Sequence, residues 1–365
     1  MRPLRLLVLL TGVGTLVAGA PMSSAAQTTG PQWTPSSQAQ ALGLLQQAVR
    51  AVRTRTWSGT EYVCTWYAGA QSSAVVEVSH TPSAGSVVRL VAAGPGRPDR
   101  LTVATDVLDE RLLDLLAERY DLRVAGPDRS AGRSARVVEA RRRPDTGGAA
   151  GAVAGDAAGA VAGRFWVDDA SAFVLRREVY NEAGEQVRSS SFLDLAVVPA
   201  APAATPPYAP VAVVASLASA GQRLAAADLE GMRQHGWPAP PELPGQLGLY
   251  EARLRDQVLQ LAYSDGLSTL SVFVQRGAPA RGTVRGFARE QQGGATVWAQ
   301  HASPERVVWS GGGHTWTLLS DASPSTVRAA VRALPHDVGS SVHRSAFERL
   351  GRGLTRLGSW LNPFN

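Results

Sequence analysis

Six histidines and one cysteine are the side chains in this sequence best suited to chemistry, and their spacing assigns them no reaction. His80, His235, His301, His314, His336 and His343 are scattered, and no two stand four apart to present a metal pair on one helix face. The chain has no G-x-S-x-G elbow, no H-E-x-x-H helix and no phosphate-binding loop. Ser310–Trp316 (SGGGHTW) reads as a hairpin turn rather than an oxyanion hole, and Asp168-Asp169 reads as a turn, since no further oxygens follow at calcium spacing. Cys64 lies in TEYVCTWY with no cation nearby to lower its pKa, so it reads as a core residue. These residues assign no catalytic group, no cofactor and no metal.

Aromatic side chains offer more for binding. Alternation along the segment 59–67 puts Tyr62, Cys64 and Trp66 on one face and Val63, Thr65 and Tyr67 on the other. Phe173, Leu175 and Val179 share a face further on. In a plain sandwich these would be core, whereas in a half-open barrel part of the same lining would face a ligand. The candidate ligand or partner contacts are Tyr62, Trp66, His80, Trp166, Phe173 and Leu175.

Several elements must position them. Leu42, Leu45, Val49 and Val52 mark a helix over Ser36–Arg53, capped by Ser36 or Ser37. Strands are expected at 59–67, 74–80 and 86–92, and a helix at 107–119 with the stripe Leu108, Leu112, Leu115 and Leu116. Strands at 120–124 and 135–142 precede a hairpin system that turns at Asp168-Asp169 and again at Asn181–Gln186 (NEAGEQ). Gly147–Gly163 reads as a long loop, and the Pro/Ala-rich run 199–210 as an extended linker. Strands at 257–264, 267–276, 295–301, 306–309 and 314–320 follow. A last helix starts at Ser323-Pro324 and buries Val327, Val331 and Leu334. The expected divisions are a leader 1–26, domains 33–198 and 211–340, the linker, and a tail 343–364.

Arg2 and Arg5 before the apolar run Leu6–Ala20 form an export signal, with cleavage before Gln27. That run is shorter than the roughly 20 residues needed to span a bilayer. All 36 basic residues are arginine, as in a high-GC bacterium, and the formal net charge of +6 includes the leader arginines. This modest excess, without a nucleic-acid motif, fits an acidic partner or anionic lipid better than DNA or RNA.

YDLRVAGPDRSAGRSARVVEA, with Tyr120, Gly126, Gly132, Arg133 and Glu139, followed by RFWVDD, NEAGEQ and FLDL, resembles the N-terminal domain of the MucB/RseB family. WSGTEYV (57–63) and VVEVSH (75–80) stand where that family has its first strands. HGWPAPPELPGQLGLYEAR, VLQLAYSDGLSTLSVFVQ, GATVWAQ and WTLLSDASPSTVRAAVRAL resemble its second domain. The similarity spans most of 57–195 and 232–335, interrupted by the Gly147–Gly163 insert, and the Lys-free composition suggests an actinobacterial branch. It implies an α+β fold: a curved, partly open antiparallel half-barrel of LolA/LppX type wrapped on helices, then a smaller α+β domain. It also implies an extracytoplasmic regulator of a sigma-E-type envelope stress pathway that binds the exposed segment of a membrane anti-sigma factor and shields it from proteolysis, with lipid sensing as a further role. A lipid or lipoprotein carrier is the alternative.

In the tail, Phe347, Leu350, Leu354, Leu357 and Leu361 recur at helical spacing among Arg344, Arg349, Arg352 and Arg356, with Trp360 closing the run. Such a helix could lie on an anionic membrane surface or dock on its own domain.

Overall fold

A computed structural model describes residues 36–67, 70–94, 108–143, 159–198, 221–279, 284–292, 294–301 and 304–337. The leader, the linker 199–210, residues 147–158 of the Gly/Ala insert and the tail with Phe347, Leu350, Leu354, Leu357, Trp360 and Leu361 lie outside the described residues, and the last residues of that insert, 161–163, belong to a strand rather than to a loop.

The first half of the chain runs α1 (Ser36–Thr54), β1 (Thr56–Tyr67), β2 (Ala70–Thr81), β3 (Gly85–Ala93), α2 (Glu110–Arg119), β4 (Tyr120–Ser130), β5 (Arg133–Arg142), β6 (Val161–Asp168), β7 (Val174–Tyr180) and β8 (Gln186–Val198). All eight strands are antiparallel, in the order β3-β2-β1-β8-β7-β6-β5-β4, so β3 and β4 end the sheet and it does not close on itself. Inside lies α1, whose Ala41, Leu44, Leu45, Ala48 and Val49 pack with Leu113 and Leu116 of α2 and with Leu122, Val138 and Phe165 of the strands. The fold is the α+β open half-barrel expected.

Local chemistry fixes the ends of these helices. Asp109 accepts a hydrogen bond from Leu112 N at 2.8 Å, so α2 begins three residues later than its apolar pattern suggests. At the end of α1 the carbonyls of four successive residues each find a donor: Thr54 Oγ1 for Arg50, Arg55 N for Ala51, Trp57 Nε1 for Val52 and His80 Nε2 for Arg53. Two of these donors, Trp57 on β1 and His80 on β2, belong to the sheet, so the cap also ties the helix to it. β4 outruns its expected end because a bulge at Ala125–Gly126, with Gly126 at φ 138°, re-aims the strand.

The second half comprises β9 (Gln222–Arg223), α3 (Ala226–Gln234), β10 (Glu242–Leu243), β11 (Leu247–Arg255), β12 (Val258–Ser264), β13 (Thr269–Arg276), β14 (Ala288–Gln292), β15 (Ala295–Gln300), β16 (Glu305–Gly311), β17 (His314–Ser320) and α4 (Pro324–Ala333). Its sheet runs β10-β11-β12-β13-β17-β16-β15-β14, with β9 beside β11. Trp309 and Trp316 face each other across β16 and β17, stacked at 5.7 Å, and their Nε1 atoms donate to Pro335 O and Gly311 O. Val327, Ala330, Val331 and Leu334 close this core, as the sequence pattern required. The strands β11 and β14 and the helix α3 have no clear periodicity in the sequence and were not expected as separate elements.

The two sheets meet through the β12–β13 turn. Asp265 Oδ1 accepts from the backbone N–H groups of Leu267 and Ser268 at 2.8 and 2.7 Å, while Oδ2 takes the Tyr120 hydroxyl at 2.7 Å. Leu267, 3% exposed, enters the core of the first sheet beside Leu116, Phe165 and Val179, and its carbonyl accepts from Arg177. Gly266 has φ 91°, and a Cβ there would stand 2.5 Å from Leu116 N. Leu267→Ala should lower unfolding stability by about 2–5 kcal/mol, read by urea titration. Gly266→Ala should cost at least as much, because strained backbone and a main-chain clash coincide.

Candidate functional site

Cross-strand register decides which side chains face α1. Val63, Ser190, Arg177, Phe165 and Val138 lie opposite one another on β1, β8, β7, β6 and β5, and Glu61 pairs with Phe192 on the same face. Together with Ala48, Val49 and Val52 of α1, several of these residues surround a cavity of about 60 Å³. Trp57 anchors its aromatic wall, meeting Phe173 edge-on at 5.6 Å and Phe192 at 5.9 Å. Three polar side chains line it, Glu61, Arg177 and Ser190, each at most 8% exposed. Since a water molecule occupies roughly 30 Å³ of liquid, the space suits one or two waters; drug-sized ligands need roughly 300 Å³ or more.

Tyr62, Ser191, Arg176 and Trp166 form the neighbouring row on the opposite, outward face. Arg176 covers the Trp166 ring at 4.7 Å and Trp166 Nε1 donates to Asp128 at 2.8 Å, which holds that carboxyl below its usual range. The next row runs Glu139, Arg164, Glu178, Ser189 and Cys64. Glu139 is paired with both Arg141 and Arg164, and Glu178 with Arg176 and Tyr180. Burial, reinforced by Glu178, pushes the Tyr180 phenol up to about 12. Each nearly buried carboxylate in this ladder therefore has its own donors.

The candidate contacts thus divide between two faces. Phe173 lines the inner cavity, and Leu175 is fully buried in the adjoining core. His80 stands at the inner rim, stacked on Trp57 at 5.9 Å; because Nε2 donates to Arg53 O, Nδ1 is left to accept from Ser86 Oγ at 2.9 Å. Trp166 and Tyr62 lie on the other face of the sheet, Tyr62 exposed but Trp166 buried in the core cluster that also holds Phe173 and Leu175, and Trp66, by alternation, lies on the Tyr62 side. Trp57, Glu61, Arg177 and Phe192 were not picked out from sequence. Glu61 was within reach of the pattern, because it stands two residues before Val63 and so shares its face.

Asp168 serves as a turn anchor, accepting from Arg133 Nη1 and Ser171 N, both at 3.0 Å. Among the described residues no group of three or more His, Cys, Asp or Glu side chains could hold a metal, and no helix is long and apolar enough to cross a membrane. Burial pushes the Cys64 thiol above its ordinary range, against hydrogen bonds with Gln71 and Tyr62 that pull it down. In the second half, Leu224, Met232, Trp237, Leu254 and Arg276 line an open groove of about 810 Å³, with Arg276 over the Trp237 ring at 5.4 Å.

No family model matches the sequence, and no curated protein matches it. Among solved structures the chain is similar to MucB, with 24% identity over 80% of this chain and 97% of that one and a TM-score of 0.46. It is also similar to the Pseudomonas aeruginosa MucA/MucB complex, with 23% identity over 82% of this chain and 99% of that one and a TM-score of 0.41. A LolA superfamily protein from Nitrosomonas europaea aligns at 11% identity over 42% of this chain and 92% of its own, with a TM-score of 0.20.

Two outcomes follow from the packing. Phe173→Ala should destabilise the protein by about 3–5 kcal/mol and enlarge the cavity enough for an apolar fluorescent probe to bind, read by thermal melting and probe titration. Cys64 should react with a thiol reagent slower than an exposed cysteine by roughly tenfold or more, and at full rate once guanidinium unfolds the chain.

Proposed function

We propose that this chain is a non-catalytic extracytoplasmic regulator of the MucB/RseB kind. It binds the exposed segment of a membrane anti-sigma factor and keeps proteases from it. The observation that carries this reading is the crowding of the concave side by α1, Trp57, Phe173 and Phe192, where the pocket among them holds about 60 Å³. A carrier of acyl chains needs that interior, whereas a protein that binds a polypeptide can use its surfaces. Motifs of the MucB/RseB type build much of this wall, from Tyr120 through Glu139 to Leu195.

The histidines support a binding role. His80, His235, His314 and His336 each bond a backbone carbonyl, and His301 is held by carboxylates. His80 also bonds Ser86 Oγ at 2.9 Å at the rim of the sheet. The MucA/MucB structure is named for a two-protein complex, and the proposal extends that kind of partnership to this chain. Lipid enters as a regulator: an acyl chain that displaces α1 or the Trp57 cluster would alter the wall from within.

The test is reconstitution with the extracytoplasmic segment of an anti-sigma factor encoded beside this gene. The expected result is a stable complex in which the segment resists the site-one protease, formed by protein from which solvent extracts no stoichiometric lipid. Absence of both complex and protection overturns the regulator reading. Stoichiometric acyl chains together with that absence would establish the carrier.

A further inference from the structure

At one margin of the contact between the sheets, His301 has a carboxylate against each ring nitrogen. Nδ1 stands 3.0 Å from Glu305 Oε1 at the start of β16, and Nε2 faces Glu290 Oε1 of β14. From the first sheet Tyr67, the last residue of β1, stacks on the imidazole with centroids 5.9 Å apart and planes 15° apart. Its hydroxyl lies 3.0 Å from Nδ1 and also reaches Glu305. Arg328 on α4 adds the positive charge felt by Tyr67, Glu290 and Glu305.

An ionised carboxylate can only accept hydrogen bonds, and a neutral imidazole has one N–H to give. Only the imidazolium satisfies both carboxylates. In that state Nδ1 cannot accept, so the Tyr67 hydroxyl donates to Glu305. Once the Nδ1 proton leaves, Tyr67 can turn to that nitrogen, and Glu305 loses donors. Glu305 tolerates this poorly: its side chain is 5% exposed and Oε2 has no donor among the described residues.

We propose that His301 is a proton-linked catch between the two sheets: charged, it pairs Glu290 and Glu305 beneath the Tyr67 ring, and neutral, it strands Glu305 and loosens the end of β1. The catch is independent of which partner the protein binds.

Electrostatics run in the same direction. Burial pulls the His301 imidazole down, but Glu290 and Glu305, by hydrogen bonding and charge, outweigh it and hold the ring above its ordinary value. Burial raises Glu305 despite its bonds to Tyr67 and His301, and the His301 hydrogen bond lowers Glu290. A histidine raised on folding contributes fully below the unfolded value, about 6.5, and its contribution is lost as pH climbs through the raised value. Toward acid, Glu305 takes up a proton before Glu290. The catch is closed between these two limits.

The test is a pH titration of the histidine-labelled protein by NMR, with the His301 signal identified by its loss in His301→Gln. Its midpoint should lie above the ordinary histidine value and fall toward it in Glu305→Gln. Hydrogen exchange over residues 60–67 and 295–300, corrected for intrinsic rates, should accelerate several-fold as pH passes that midpoint, and should show no such step in His301→Gln. A midpoint at or below the ordinary value, one unmoved by Glu305→Gln, or an exchange step that persists in His301→Gln overturns the proposal.

Discussion

Where the β12–β13 turn meets the half-barrel, a leucine from one sheet completes the core of the other. Leu267 stands among Leu116, Phe165 and Val179, and everything around it serves that seat. Gly163 on β6 has no side chain because a Cβ would meet Leu267 at 2.6 Å, and Gly266 has none because a Cβ would strike α2. Asp265 shapes the turn with one oxygen and receives Tyr120 with the other. Beside it Arg188 and Asp321, 10% and 12% exposed, join β8 to the segment before α4. A buried pair of this kind adds little net stability, but removing one partner leaves the other's charge without compensation, so it favours one docking arrangement over others.

That junction shapes the interior as well. Phe165 and Arg177 line the inner cavity and also contact Leu267, by packing and by hydrogen bond respectively. The same two residues therefore serve both the cavity and the junction with the second sheet. On the other face of the sheet the nearly buried Glu139 and Glu178 take their counter-charges from Arg141, Arg164 and Arg176.

Much of the fold was legible in the residues. Helical spacing found α1, α2 and α4, alternation found β1 to β3 and the hairpins of β6 to β8, and Ser323-Pro324 marked the start of α4. The candidate site was legible only in part. Phe173 and His80 lie on the inner side, Tyr62 is exposed on the opposite face, and Trp166, on that same face by register, is nonetheless buried in core. Short strands such as β14, with a mostly exposed pattern, left no periodic trace because only tertiary pairing holds them.

The difference has a simple physical origin. A strand's period of two is a local property, so the sequence by itself determined that Tyr62, Cys64 and Trp66 share one face and Val63 and Thr65 the other. Parity carries no sign, however. Which face looks inward was decided by α1 filling the concave side and by β8 pairing Ser190 with Val63, contacts between residues far apart in the chain. Leu267 reads in the sequence as the start of a strand at 267–276, but it stands in the turn before β13, and its place in another sheet's core exists only once the chain has folded, because the cavity that receives it is built from α2, β6 and β7.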